Sequence, residues 1–206
     1  MVELGRRAPR VMRHLLALGA APTVAFAFAL AWPCAVFPAG EDCVAGEPSG
    51  YRMSDFRTPV PCTLAGATVV STDALRRMIE RGSPLLVDVL PSPRRPEGLS
   101  EDAPWLPPVR RNIPGTVWLP NTGFGELPVE EERYLRVNLE RLTGGDRSHQ
   151  VVFYCLADCW MSWNAARRAV AWGYVSVFWY PRGTDAWKSA GLPLEKSSPV
   201  PRSPGQ

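Results

Sequence analysis

The sequence predicts an α/β domain, an open parallel sheet with helices on both faces, from three features. Short apolar runs rich in β-branched residues recur along the chain. Two of them, Leu85-Leu86-Val87-Asp88-Val89 and Val151-Val152-Phe153-Tyr154, lack the polar alternation of a half-exposed strand. Between the runs lie segments with apolar residues at helical spacing, each closed by glycine. That alternation is the pattern of a parallel sheet buried on both sides.

Taken in order, a strand is expected at Thr68 to Ser71, then a helix capped at Ser71-Thr72-Asp73, with Leu75, Met78 and Ile79 on one face and Gly82 as its stop. The run at 85–89 is too short for a helix and reads as a central strand. Much later a helix opens at Pro128, carries glutamates in its first turn, sets Leu135, Leu139 and Leu142 on one face and ends at Gly144-Gly145. The strand at 151–154 runs into Cys155. Ser162 to Trp172 then reads as a helix with Gly173 as its cap, Val175 to Tyr180 as a strand, and Asp185-Ala186-Trp187 as the start of a short helix ending at Gly191.

A chain of 206 residues holds one such domain with extensions, and its 22 prolines signal long irregular stretches. The formal net charge of +3 is already present in the first 31 residues, where Arg6, Arg7, Arg10 and Arg13 stand against Glu3. The remainder is neutral and has no basic stripe, which excludes nucleic acid as a partner. The arginines precede an uncharged stretch from Leu15 to Trp32 with small residues at Ala29-Leu30-Ala31, the layout of an export signal cleaved after Ala31. Retained, the same stretch would be a membrane anchor, and both fates place the body in the periplasm. The expected organisation is a signal or anchor at 1–31, an extended arm at 32–63, the domain at 64–194 and a disordered tail at 195–206.

Export makes the cysteines informative, because disulfides persist in oxidising compartments and five cysteines leave one thiol over. Cys34 and Cys43 lie close in a Gly/Pro-containing segment and are expected to staple a loop, with Cys62 unassigned. Cys155 is the candidate working residue. It ends a parallel strand, at the edge where open α/β sheets bind ligands, and precedes a helix amino terminus whose free N–H groups favour a thiolate. Its plainer alternative is a buried structural cysteine. Neither histidine serves as its base: His14 belongs to the signal, and His149 lies roughly 20 Å away along an extended strand.

The order strand, Cys155 loop, helix, Gly173-Tyr174-Val175-Ser176-Val177 and Gly183 to Pro193 resembles a rhodanese domain. Asn112-Ile113-Pro114-Gly115-Thr116-Val117-Trp118-Leu119-Pro120 resembles that family's Gly-His-Ile-Pro-Gly-Ala segment, and Ala186-Trp187 with Ala190-Gly191-Leu192-Pro193 its carboxy-terminal signature. Within the superfamily, Tyr154-Cys155-Leu156-Ala157-Asp158-Cys159-Trp160 is similar to a small exported family with a Cys-x-x-x-Cys-Trp motif, named for its association with PQQ-dependent alcohol catabolism. The resemblance implies a sulfurtransferase. A Cys155 thiolate would take sulfane sulfur from a donor as a persulfide and pass it to an acceptor, with the backbone of Leu156, Ala157, Asp158, Cys159, Trp160 and Met161 around it.

Departures from that pattern narrow the chemistry. Met161 stands where a Cys-x5-Arg phosphatase needs the arginine that grips phosphoryl oxygens, so phosphatase activity is excluded. Asp158 repels anionic substrates and disfavours the neighbouring thiolate, which makes thiosulfate a poor donor. Cys159 opens two alternatives: a thiol–disulfide protein exchanging with a periplasmic redox partner, or a non-enzymatic module whose permanent Cys155–Cys159 bridge supports cofactor or partner binding. A bridge needs a non-helical loop, because i and i+4 Cβ atoms on a helix are about 5–6 Å apart and a disulfide brings them to about 3.8 Å. Two thiols fall short of a closed zinc site, so no metal site is assigned, though a pair of thiolates suits copper. Trp160 is either a platform for a planar quinone such as PQQ or a core residue, and Trp163 flanks it. The proline-rich loop 91–111 reads as a stiff lid whose Arg94, Arg95, Arg110 and Arg111 supply positive charge, or as plain surface. Asp88, at the end of the neighbouring strand, is assigned a structural hydrogen-bonding role.

Overall fold

The apolar runs become strands of one parallel sheet, and the computed structural model describes residues 43–82 and 84–202, all within the unit Cys34–Gln206. The expected signal or anchor at 1–31 and Cys34 lie outside the described residues. The elements run β1 (Ala67–Val69), α1 (Thr72–Arg81), β2 (Leu85–Asp88), β3 (Arg111–Asn112), β4 (Val117–Trp118), α2 (Val129–Thr143), β5 (Val151–Tyr154), α3 (Trp160–Ala171), β6 (Val177–Tyr180), α4 (Gly183–Ser189) and β7 (Glu195–Lys196). The main sheet has the order β1-β6-β5-β2-β4, with every neighbouring pair parallel. Strand β5 is central and buried along its whole length, as its unbroken apolar run requires. Among the described residues no helix is long and apolar enough to cross a membrane.

Period-two alternation divides the core between the faces. Val151, Phe153, Val177 and Trp179 pack with Tyr134, Leu135 and Leu139 of α2 and with the length of α3. Val152, Tyr154 and Tyr180 face Leu75 of α1 and Trp187 of α4. Helix α1 is capped as its sequence predicts, Ser71 Oγ accepting from the Ala74 amide at 3.2 Å. Helix α2 ends at Gly144 in the left-handed region (φ 64°), where glycine carries no Cβ penalty. Helix α3 begins at Trp160, two residues earlier than its periodicity predicts, so the aromatic pair of the motif lies in its first turn.

Three expectations change. Cys43 pairs with Cys62 and not with Cys34, its Cα lying 5.1 Å from that of Cys62. The Val44 amide donates to the Val60 carbonyl at 2.9 Å and the Cys62 amide to the Val44 carbonyl at 3.1 Å, which aligns the two backbones for that bridge. The tail is ordered through Arg202: β7 pairs with β3, the Val200 amide donates to the Trp118 carbonyl at 3.0 Å, and Arg202 grips Glu131 at 2.7 Å. The backbone groups of this polar segment find partners along the edge near β3 and β4, which its composition did not reveal. Arg110 is not part of a solvated lid either. Its Nε donates to Asp88 Oδ2 at 2.7 Å, and its side chain is only 10% exposed.

Asp88 also accepts from the Leu90 amide at 2.9 Å. Burial pushes its carboxyl above the usual range, against the opposing pull of Arg110. Arg110→Ala leaves that group buried and unpaired, and is expected to cost about 3–5 kcal/mol in urea unfolding at neutral pH. A carboxyl whose folded pKa is raised contributes most to stability when protonated, below its unfolded value, and loses that contribution as pH rises through its folded value. The Arg110→Ala deficit should therefore shrink on acidification.

Candidate functional site

Residues 155–159 connect the central strand to α3 without a helical turn. Cys155 leaves β5 fully buried, and its carbonyl accepts from the Thr184 amide at 3.1 Å. Gly183 makes that approach possible: with φ at +49°, any Cβ there would lie 2.5 Å from the Cys155 carbonyl oxygen. The Ala157 amide donates to Asp185 Oδ2 at 3.0 Å, and Asp158 turns the loop in the left-handed region with φ at 50°. Cys159 is the residue before α3, extended at φ −112° and ψ 107°, and 1% exposed. Leu156 and Asp158 are half-buried, while Trp160 and Met161 are buried in the first helical turn.

Both thiols are free and both are out of solvent. The Cys155 thiol donates to the Cys159 carbonyl at 3.5 Å and faces the Leu156 carbonyl at 3.9 Å. Burial pushes the Cys155 thiol well above its ordinary value, and the hydrogen bond it gives to Cys159 and the charge of Cys159 push the same way. Cys159 moves oppositely, down to about 7. The hydrogen bond from Cys155 is the main cause, opposed by burial and assisted by the backbone N–H groups of Met161 and Leu156 and by the charge of Arg57. Of the two thiols, Cys159 is the one whose surroundings favour the thiolate. The amides expected to cradle Cys155 lie nearer Cys159, because α3 starts at Trp160, but no cap hydrogen bond to the Cys159 side chain forms.

The cover over this pair is the arm. Arg57 bridges Cys159 in antiparallel fashion, the Trp160 amide donates to the Phe56 carbonyl at 2.9 Å, and Trp160 Nε1 donates to Thr58 Oγ1 at 3.1 Å. Arg57 also faces Asp185 at 3.9 Å, in an exposed pair that adds little stability. Further back, the Asn164 side chain mimics a strand partner, accepting from the Arg52 amide and donating to the Arg52 carbonyl, both at 2.9 Å. Trp163 packs edge-on to Trp160 and donates to the Thr63 carbonyl at 3.2 Å. Arg52 lies over the Trp160 ring at 5.2 Å, so that indole is a packed residue with no open face for a stacked quinone.

The arginines of loop 91–111 have other engagements. Arg95 donates to the carbonyls of Ser100, Glu101 and Ala103 within its own loop, Arg111 to the Leu194 carbonyl at 3.3 Å, and Arg110 to Asp88; Arg94 is exposed. Phe56, Arg57, Thr58, Thr184 and Asp185 are the site residues that sequence reasoning missed. The arm lacks periodicity and so gave no signal, whereas Gly183-Thr184-Asp185 follows β6 at the same sheet edge as Cys155 and was legible from topology. Among the described residues no group of three or more His, Cys, Asp or Glu gathers as a metal site.

The family model for the rhodanese-like domain matches residues 71–190. Three solved structures are similar. A thiosulfate sulfurtransferase from Pseudomonas aeruginosa shows 17% identity and a TM-score of 0.43 over 65% of this chain, which spans only 21% of that chain. A polysulfide-sulfur transferase homodimer from Wolinella succinogenes shows 17% identity and a TM-score of 0.40, over 65% of this chain and 82% of that one. An uncharacterized protein from Saccharomyces cerevisiae shows 22% identity and a TM-score of 0.36, over 60% and 92%. No curated protein matches the chain.

Two outcomes follow from this geometry. The ultraviolet absorbance of thiolate should rise with a midpoint near pH 7 for the pair's first proton, and Cys155→Ala, which removes the donor, should move that midpoint upward. Replacing the arm's bridge in Cys43→Ser/Cys62→Ser removes a constraint on the order of 3 kcal/mol. Alkylation of Cys159 should then accelerate about tenfold for each 1.4 kcal/mol taken off the cost of lifting the arm.

Proposed function

The chain belongs to the rhodanese-like domain family, and on that premise we propose that it is a sulfurtransferase carrying sulfane sulfur as a persulfide on Cys155. One observation carries the reading: Cys155 closes the central strand, at the ligand edge of the sheet, with a second free thiol four residues on in the same non-helical loop. The persulfide forms when the arm strand Phe56–Thr58 lifts and a donor reaches the sulfur. Met161 and Asp158 favour an uncharged or weakly charged persulfide over thiosulfate, since the loop offers no arginine to hold a dianion.

The arginines before the uncharged stretch Leu15 to Trp32 support export, and in this proposal the chemistry takes place in the periplasm with small persulfides or a redox protein as donor and acceptor. The association with PQQ-dependent alcohol catabolism belongs to the same proposal and rests on the Cys-x-x-x-Cys-Trp motif. A second reading, thiol–disulfide exchange between Cys155 and Cys159, is favoured by the two free, adjacent thiols in a non-helical loop. A binding module with a permanent bridge is less well supported, because that bridge is not formed.

The test is steady-state sulfur transfer to cyanide from glutathione persulfide and from thiosulfate. The expected result is turnover with the persulfide, at least tenfold slower turnover with thiosulfate (about 1.4 kcal/mol in transition-state stabilisation), and loss of both in Cys155→Ser. Equal persulfide turnover by Cys155→Ser would overturn the proposal.

A further inference from the structure

A persulfide carrier needs something to take the proton of its cysteine, and here the usual groups are elsewhere. His149 precedes β5, at the far end of the strand from Cys155. Asp88 is committed to Arg110 and the Leu90 amide. What lies against the Cys155 thiol is Cys159, whose carbonyl accepts from it at 3.5 Å, with the Leu156 carbonyl at 3.9 Å. Cys159 is extended, with 155–158 outside any helix, so the spacing that forbids an i,i+4 bridge on a helix does not apply. The backbone N–H groups of Met161 and Leu156 and the charge of Arg57 help lower its thiol to about 7.

Resting on the sulfur-transfer reading, we propose that Cys159 is a second catalytic residue, the base for Cys155 during loading and then the nucleophile that expels the bound sulfur as hydrosulfide. In loading, the Cys155 proton moves to the Cys159 thiolate and Cys155 attacks the terminal sulfur of a donor persulfide, RS–SH. The donor S–S bond breaks, RS⁻ leaves with the electron pair, and the proton on Cys159 returns to it as RSH. Cys155 then carries S–SH and Cys159 is again a thiolate. In release, Cys159 attacks the inner sulfur of Cys155–S–SH, the Cys155–Cys159 disulfide forms and HS⁻ leaves. The two cysteines are oxidised and the sulfane sulfur is reduced to sulfide. An external dithiol reduces the bridge and completes the cycle. The protein is on this account a sulfide-releasing transferase that depends on a dithiol partner.

The charged groups around the pair act consistently with this order. Arg57 favours the thiolate on Cys159, while Asp88 disfavours one on Cys155, which holds the resting charge on the resolving residue. Asp185 is turned to the Ala157 amide and to Arg57.

The experiment is a single turnover of the full chain, reduced, freed of reductant and mixed with glutathione persulfide, followed by sulfide release and by mass spectrometry of the cysteine peptide. Wild type is expected to release sulfide stoichiometrically and to end as the Cys155–Cys159 disulfide. Cys159→Ser is expected to accumulate the Cys155 persulfide with sulfide release slowed at least a hundredfold, and serine is itself a favourable residue before a helix, so the fold is retained. Cys159→Ala, checked for an unchanged circular dichroism spectrum, should behave alike. Sulfide release by either variant at the wild-type rate, or a wild-type persulfide that persists beside a free Cys159, overturns this inference and leaves sulfur transfer standing. A chain on which Cys155 never acquires sulfur overturns both.

Discussion

Burial of both sulfurs in the cysteine loop keeps them from both ionising, because neither can reach water and two adjacent thiolates would repel. Everything near the site follows from that constraint. Strand β5 brings Cys155 to the sheet edge, the start of α3 at Trp160 brings amides near Cys159, and the arm excludes solvent from both. Burial raises the Cys155 thiol, while nearby amides and Arg57 help lower that of Cys159. The arrangement replaces a histidine base and a loop arginine, neither of which this loop contains.

The arm has a role that its composition conceals. It is bound to the domain by side chains that imitate backbone, Asn164 to Arg52 above all, and is closed on itself by the disulfide between Cys43 and Cys62. Its contacts with the reactive loop are lighter: one main-chain hydrogen bond to Trp160, one side-chain bond from the indole and an exposed ion pair. A segment anchored firmly behind the site and loosely over it opens locally at less cost than the domain unfolds. Such opening reconciles a buried nucleophile with bimolecular chemistry.

The fold was legible because its strands are buried on both faces and so read as unbroken apolar runs, while each helix carries its own cap or glycine stop. Cys155 was legible for the same reason, since the run at 151–154 ends on it. The exchange of roles with Cys159 was not, because it depends on where α3 begins, and the polar face of that helix, Ser162 and Asn164, hides its first turn from periodicity. The lid was placed on 91–111 because prolines and arginines there look like a charged cover; Arg110 instead turns inward to the buried Asp88, an attraction across 22 residues of sequence that no local pattern encodes. The Cys43–Cys62 pairing and the ordered tail are likewise long-range matches of backbone groups, invisible to composition.

The most direct test of the account is to isolate the natural chain from its own compartment under rapid alkylation and to map Cys155 by mass spectrometry, with and without a dithiol. The account predicts that Cys155 acquires an added sulfur and resolves to a bridge with Cys159, which the dithiol opens. A Cys155 that never carries sulfur, in a bridge to Cys159 that the dithiol leaves intact, would contradict it.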